Sequence, residues 1–233
     1  MKYLLILSCL LFTSVAWSKN ISMDDLIIID GLYYEKFTEK PFTGNVIGKI
    51  QGKISKGKRE GQQLWYYENG QLEVTGNYED GKINGELLNY YENGQLAVKG
   101  NYKDGKEDGE VLSYFENGQL KLQGNYKEGK KNGKGTYYND NGQLMITGNY
   151  KDGKLDGELL NYYGSGQLKL KGNYKEGKKD GEGLYYNENG QLLIKGNYKD
   201  GKLEGKRLSY NENGQLEKTQ IFKDGKLVET IKP

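Results

Sequence analysis

A chain of 233 residues with 34 Lys and Arg against 32 Asp and Glu carries a formal charge of +2, too weak a field to draw in nucleic acid or an anionic membrane. Its 35% hydrophobic and 28% charged content would by itself lean toward disorder. Thirty-five Gly against two Pro, with no His at all, instead predict many tight turns between extended segments and leave a poor inventory for catalysis.

Residues 1–18 read as a secretory signal peptide. Lys2 supplies the positive start, Tyr3 to Val15 the apolar run, and Ala16-Trp17-Ser18 a small-x-small cleavage site. This predicts an exported protein of the periplasm, cell envelope or medium, with no transmembrane segment left after cleavage. Acylation at Cys9 ranks second, because Leu10-Leu11-Phe12 continues the apolar run beyond it. Cys9 is the single cysteine, so a cleaved chain has no disulfide and must be held by packing.

Residues 19–56 read as an N-terminal cap. Leu26 to Ile29 and Leu32 to Tyr34 look like short strands around the turn Asp30-Gly31, and Pro41-Phe42-Thr43-Gly44 punctuates the next segment. Gly48-Lys49-Ile50-Gln51-Gly52 then replaces a long hairpin, as in a shortened, degenerate end repeat.

From 57 to 224 the chain is seven copies of a 24-residue unit. The second residue of an Asn-Gly or Ser-Gly pair recurs at Gly70, Gly94, Gly118, Gly142, Gly166, Gly190 and Gly214 without an insertion or deletion. Positions are counted from the Gly before each first strand, namely Gly61, Gly85, Gly109, Gly133, Gly157, Gly181 and Gly205. Position +3 is Leu in six units and Thr136 in the fourth, and position +5 is Tyr in all seven, which predicts one face of a strand. Asn-Gly is expected to reverse the chain as a two-residue hairpin turn, with Ser165-Gly166 standing in for it in the fifth unit. On the second strand Leu72, Val74, Gly76 and Tyr78 alternate with Gln71, Glu73, Thr75 and Asn77. One face should therefore be core and the other wet, with a Tyr ring laid over each inward Gly. Residues 225–233 close the array as a C-terminal cap.

The predicted fold class is all-β: an elongated array of antiparallel β-hairpins, two strands per unit, forming a single twisted sheet roughly 65 to 70 Å long. A flat single layer would leave its apolar face half hydrated. Strong twist is the favoured remedy, and pairing with a second copy as a homodimer is the alternative.

The unit Gly-Lys-x-x-Gly-Glu-x-Leu-x-Tyr-Tyr-x-x-Asn-Gly-Gln-Leu-x-x-x-Gly-Asn-Tyr resembles the bacterial variant of the MORN repeat (membrane occupation and recognition nexus), over about residues 30 to 230. The resemblance implies an antiparallel hairpin array. Some members are catalogued as antitoxin components of toxin–antitoxin pairs, whereas eukaryotic MORN proteins resemble scaffolds and lipid-associated modules. This chain lacks the His and most of the Trp of the eukaryotic pattern, so phosphoinositide binding is not carried over.

The chain reads as non-enzymatic, with no cofactor and no metal. Its carboxylates sit in repeated turns beside Lys, as in Lys103-Asp104-Gly105-Lys106-Glu107-Asp108-Gly109, where turn chemistry accounts for them. These loops lack the dense oxygen ligands of a calcium site. Its Gly-rich stretches lack the Gly-Lys-Ser/Thr that opens a phosphate-binding helix.

A second set of aromatics is left over from the core: Trp65, Tyr67, Tyr91, Phe115, Tyr137, Tyr163 and Tyr185. They occupy positions +4 and +6 and are expected on the outward face of the first strand. Such a row suits recognition of a partner protein or stacking on sugar rings, and cross-strand stiffening is the plainer account. The leading expectation is an exported adaptor that binds another protein with avidity along its length. Glycan or cell-wall binding and neutralisation of a partner toxin are the alternatives. Replacing Tyr67, Tyr91 and Phe115 by Ser is expected to weaken binding without unfolding the array.

Overall fold

The computed structural model describes residues 18–232. The apolar run, its cleavage motif up to Trp17, and Cys9 lie outside the described residues. After β1 (Asn20–Ser22) and a short 3-10 turn at Met23–Asp25, the chain forms β2 (Leu26–Ile29), β3 (Leu32–Glu35), β4 (Gly44–Ile47) and β5 (Ile50–Ser55). The repeats begin with β6 (Lys58–Tyr66) and β7 (Leu72–Glu79), a nine-residue and an eight-residue strand, and continue as hairpins to β20 (Lys226–Ile231). One sheet of 18 strands results. In it β1 pairs in parallel with β4, and from β4 onward each strand is antiparallel to its successor. The hairpin β2–β3 stands apart as a second, two-stranded sheet.

The two-residue turn expected at Asn-Gly is found instead at the Asp-Gly and Glu-Gly pairs. Asp80-Gly81 has both residues at positive φ, +50° and +82°, the signature of the two-residue type I′ hairpin. At Asn69-Gly70 only Gly70 is left-handed, at +83°. Its N–H donates to the Tyr67 carbonyl at 3.0 Å, and the Tyr67 N–H donates to the Gln71 carbonyl at 2.8 Å. This is the longer loop, a type I turn followed by a left-handed Gly and a bulge. The bulge is visible in the register, where Trp65 pairs with Val74 but Tyr66 with Leu72.

Directly opposed residues share a face of the sheet, so the register corrects the expectation of one dry and one wet face. Gln63 pairs with Gly76 and Gly76 with Leu87, whereas Leu64 pairs with Thr75 and Thr75 with Leu88. The Leu at +3 therefore lies across the sheet from the Val-Gly-Tyr row of the second strand. One side is here called the glycine face and the other the leucine face. On the leucine face, half-buried Leu64 and Leu88 share space with ion pairs Lys99–Glu86, Lys171–Glu158 and Lys195–Glu182 at 2.5, 2.6 and 2.5 Å. The partner Glu carboxylates hold the three Lys above their ordinary range by hydrogen bonding and charge, but exposed pairs of this kind contribute little stability.

The true core is in the cap. Ile21, Leu26, Phe42, Val46 and Ile54 form it, with Met23, Tyr33 and Ile50 packed against them. Val46 pairs with Gly52, and Gly52 with Gln63, which places this core on the glycine face. Deep burial needs a layer on each side, and β2 supplies Leu26 as the cover. In the repeats only Ala97 and Val111 are buried apolar side chains among the described residues.

Candidate functional site

Along the glycine face each unit presents positions −2, +2 and +4 from its first strand and +13, +15 and +17 from its second. The ring at +17 covers the hole at +15 in several units. The Tyr102, Tyr126 and Tyr174 rings lie 3.1, 3.4 and 3.4 Å from where a Cβ on Gly100, Gly124 and Gly172 would stand. Elsewhere Leu fills the hole: Leu87 comes within 3.0 Å at Gly76 and Leu159 within 2.9 Å at Gly148. The Tyr lid foreseen from the alternation is thus present in some units and replaced by Leu in others.

The three units in which Leu rather than Tyr fills the hole at +15 build a cation–aromatic cluster. In the first, the Arg59 guanidinium lies 5.3, 4.8 and 6.0 Å from the ring centres of Tyr33, Trp65 and Tyr78. Its Nε and Nη2 donate to the Tyr33 hydroxyl at 3.2 and 2.9 Å, and the Trp65 and Tyr78 rings are 5.9 Å apart and tilted. In the fourth, Lys131 Nζ lies 4.8 and 5.3 Å from the Tyr137 and Tyr150 rings and donates to the Tyr137 hydroxyl. In the sixth, Lys179 stands 5.1 and 4.9 Å from Tyr185 and Tyr198 and donates to the Tyr185 hydroxyl. A cation over a ring face at such distances is attracted by the ring quadrupole, the contact made by Arg59 with Trp65, Lys131 with Tyr150 and Lys179 with Tyr198. At Tyr137 and Tyr185 the ammonium sits at the hydroxyl end and the hydrogen bond is the contact.

The residues that build these clusters vary together. A base at −2 and an aromatic at +4 come with Gln63, Gly135 or Gly183 at +2, whereas Leu87, Val111, Leu159 and Arg207 at +2 come with Asn89, Ser113, Asn161 and Ser209 at +4. The reason is space on one face. Gly124, Gly135 and Gly148 stand in line across three strands, and the Tyr150 ring is 2.9 Å from where a Cβ on Gly135 would be. At Gly183 the Tyr198 ring is likewise 2.9 Å from a Cβ position, so in the fourth and sixth units a side chain at +2 would meet the ring. In the first unit Gln63 occupies +2 and donates to the Lys53 and Glu60 carbonyls. Reading positions −2, +2 and +4 together would have found the clusters from the sequence; reading aromatics alone missed Arg59, Lys131, Lys179 and Tyr150.

Burial raises the phenols of Tyr78, Tyr102, Tyr126, Tyr174 and Tyr198 above their ordinary value, with Arg59 opposing it at Tyr78 and Lys131 opposing it at Tyr126. Tyr150 is pushed up to about 12 by burial together with its hydrogen bond to Tyr137.

The seven aromatics singled out from the sequence do not form one outward row. All seven are half-buried. Trp65, Tyr137 and Tyr185 oppose Val74, Ile146 and Ile194 on the glycine face. Tyr67, Tyr91, Phe115 and Tyr163 lie just past their strands, in the loops. The Tyr67, Tyr91 and Tyr163 hydroxyls donate to the Tyr90, Tyr114 and Tyr186 carbonyls, each at 2.7 Å, so each ties its unit to the next. Phe115 lacks that hydroxyl and holds Lys121 Nζ 5.4 Å from its ring centre. Tyr91→Phe should therefore cost about 1 kcal/mol, the net worth of one hydrogen bond, read as a lower urea midpoint at unchanged slope. Ser at Tyr67 or Tyr91 would remove the ring as well, so the expectation that these changes leave the array intact is withdrawn.

The turn carboxylates have a local task. Glu60, Asp108, Asp156, Asp180 and Glu204 accept the N–H of Asp80, Glu128, Glu176, Asp200 and Asp224 in the following turn, at 2.8 to 3.3 Å. A cleft of about 880 Å³ lies along this edge between Lys175, Asp180, Lys199 and Glu204.

A sequence model for the family described as MORN repeat variant matches seven segments of the chain: 59–80, 83–104, 107–128, 131–152, 155–176, 179–200 and 203–224. Each begins at position −2 and ends at the acidic residue of the Asp-Gly or Glu-Gly turn. No curated protein matches the chain.

Proposed function

The chain belongs to the MORN repeat variant family, and we propose that it is an exported, non-enzymatic adaptor that binds a partner protein along the glycine face of its array. The observation that carries this reading is the recurrence of cation–aromatic clusters in units one, four and six, at one register and on one face. Trp, Tyr and Arg are the residue types on which binding energy concentrates at protein interfaces. The fourth- and sixth-unit clusters are four strands apart, roughly 19 Å at the usual strand spacing, so one extended partner could meet both at once and gain avidity. Export rests on the leader read in residues 1–18.

The test begins with affinity capture by the chain from its own envelope and medium fractions, scored by protein mass spectrometry and by sugar analysis. For a captured protein, Tyr137→Ser with Tyr185→Ser should weaken binding at least about tenfold, as loss of two interface anchors implies, while strand content stays unchanged. Retained affinity would move the interface off the glycine face. Recovery of sugar polymer without protein would favour wall binding, and a captured protein that is toxic when expressed alone would favour neutralisation.

A further inference from the structure

Six units carry the dipeptide Asn-Gly at positions +8 and +9, and all six of these Asn residues are exposed. The structure nevertheless divides them into two classes. In units one to three, the Oδ1 of Asn69, Asn93 and Asn117 accepts the N–H of Gln71, Gln95 and Gln119 at 2.9, 2.9 and 3.0 Å. The Nδ2 of each donates to the next unit, to the carbonyls of Glu92, Glu116 and Asp140 at 3.3, 3.1 and 2.8 Å. Both ends of the amide are held.

In units four, six and seven, position +6 is Asn139, Asn187 or Asn211 instead of an aromatic. These residues take over the turn. Their Oδ1 accepts the N–H of Gln143, Gln191 and Gln215, each at 2.9 Å, and the N–H of Asn141, Asn189 and Asn213 at 3.1, 3.0 and 3.0 Å. The side-chain amides of Asn141, Asn189 and Asn213 are left with no hydrogen bond among the described residues.

An Asn followed by Gly is open to a particular chemistry, because the unhindered Gly nitrogen can attack the Asn side-chain carbonyl carbon. That bond closes a five-membered imide and releases Nδ2 as ammonia, and the proton of the Gly nitrogen is lost in the same exchange. Water then opens the ring at either carbonyl to give aspartate or isoaspartate, so the net change is amide plus water to carboxylate plus ammonium. The attacking nitrogen is engaged alike in both classes, since Gly70 and Gly142 each donate to a carbonyl at 3.0 Å. Only the hold on the amide differs.

We propose that Asn141, Asn189 and Asn213 are sites of spontaneous deamidation in the folded protein and that Asn69, Asn93 and Asn117 are protected by their two hydrogen bonds. Three conversions would carry the formal charge from +2 to a negative value. The new carboxylates would all lie on the Asn-Gly edge of the units from the fourth onward, which hold the Lys131 and Lys179 clusters. The residue at +6 is the determinant: Asn there frees the amide at +8, and an aromatic there leaves it pinned.

The experiment is peptide mapping by mass spectrometry of the full chain aged in mildly alkaline buffer, folded and in urea, following the amide-to-acid mass change at each Asn. In the folded protein, Asn141, Asn189 and Asn213 should convert at least about tenfold faster than the other three, because two hydrogen bonds must break before a pinned amide can react. In urea all six rates should converge, since five of the sites share the context Glu-Asn-Gly-Gln. Asn187→Tyr should slow Asn189, and Tyr91→Asn should speed Asn93. Equal rates at all six sites in the folded protein, faster loss at Asn69, Asn93 or Asn117, or no folded-state conversion while the urea sample goes to completion would each overturn the proposal.

Discussion

Ile54→Ala is expected to lower the unfolding free energy by roughly 2 to 5 kcal/mol, the range for emptying a buried aliphatic site. Ile54 is 1% exposed and, with Gln63, is one of the two largest fully buried side chains among the described residues. It sits among Ile21, Leu26, Phe42 and Val46, opposite Gly44 on one side and Arg59 on the other. Shortening it opens a cavity beneath the hairpin β2–β3 and beside the Arg59 that grips Tyr33. Because a repeat array is stabilised mainly between neighbours, the loss should appear first as fraying from the cap. Hydrogen exchange should accelerate in β4 to β6 before it does in the central units. A variant with parental stability and unchanged exchange in those strands would show that the cap core does not hold the end of the sheet.

Alkali should unfold the protein in a narrow window above pH 10. Tyr78, Tyr102, Tyr126, Tyr150, Tyr174 and Tyr198 all have raised phenol pKa values, Tyr150 at about 12, against an unfolded value of about 10. Between those limits the folded state binds more protons than the unfolded state, so stability falls as pH rises. The contribution is complete below pH 10 and disappears as pH climbs through the folded values. Phenolate absorbance should therefore lag behind that of free tyrosine and then rise together with the loss of strand circular dichroism. Tyr150→Phe should reduce the lag. Ordinary titration near pH 10 with the strand signal intact would contradict the burial assigned to the glycine face.

The aromatic set marked from the sequence contained the right rings with the wrong neighbours. Trp65, Tyr137 and Tyr185 were visible because they alternate with the Leu and Tyr of their strand. Their place beside Val74, Ile146 and Ile194 was not, because it depends on how the chain returns through Asn-Gly. Counted across a two-residue turn at Asn69-Gly70, Trp65 already falls opposite Val74 and Leu64 opposite Thr75, the register observed; alternation along one strand does not carry that count. The longer loop and its bulge alter only the pairing of Tyr66, which meets Leu72.

What the sequence determines by itself is therefore the hairpin array, its unit boundaries and the turn residues, since a 24-residue period, strand alternation and Gly after Asp, Glu or Asn are local properties. Residues far apart in the chain decide the rest. Only the tertiary structure places Tyr33 on Arg59 across 26 residues and ties Tyr91 to the next unit. Those contacts depend on register and on the fold-over of the cap, which periodicity along one strand does not encode.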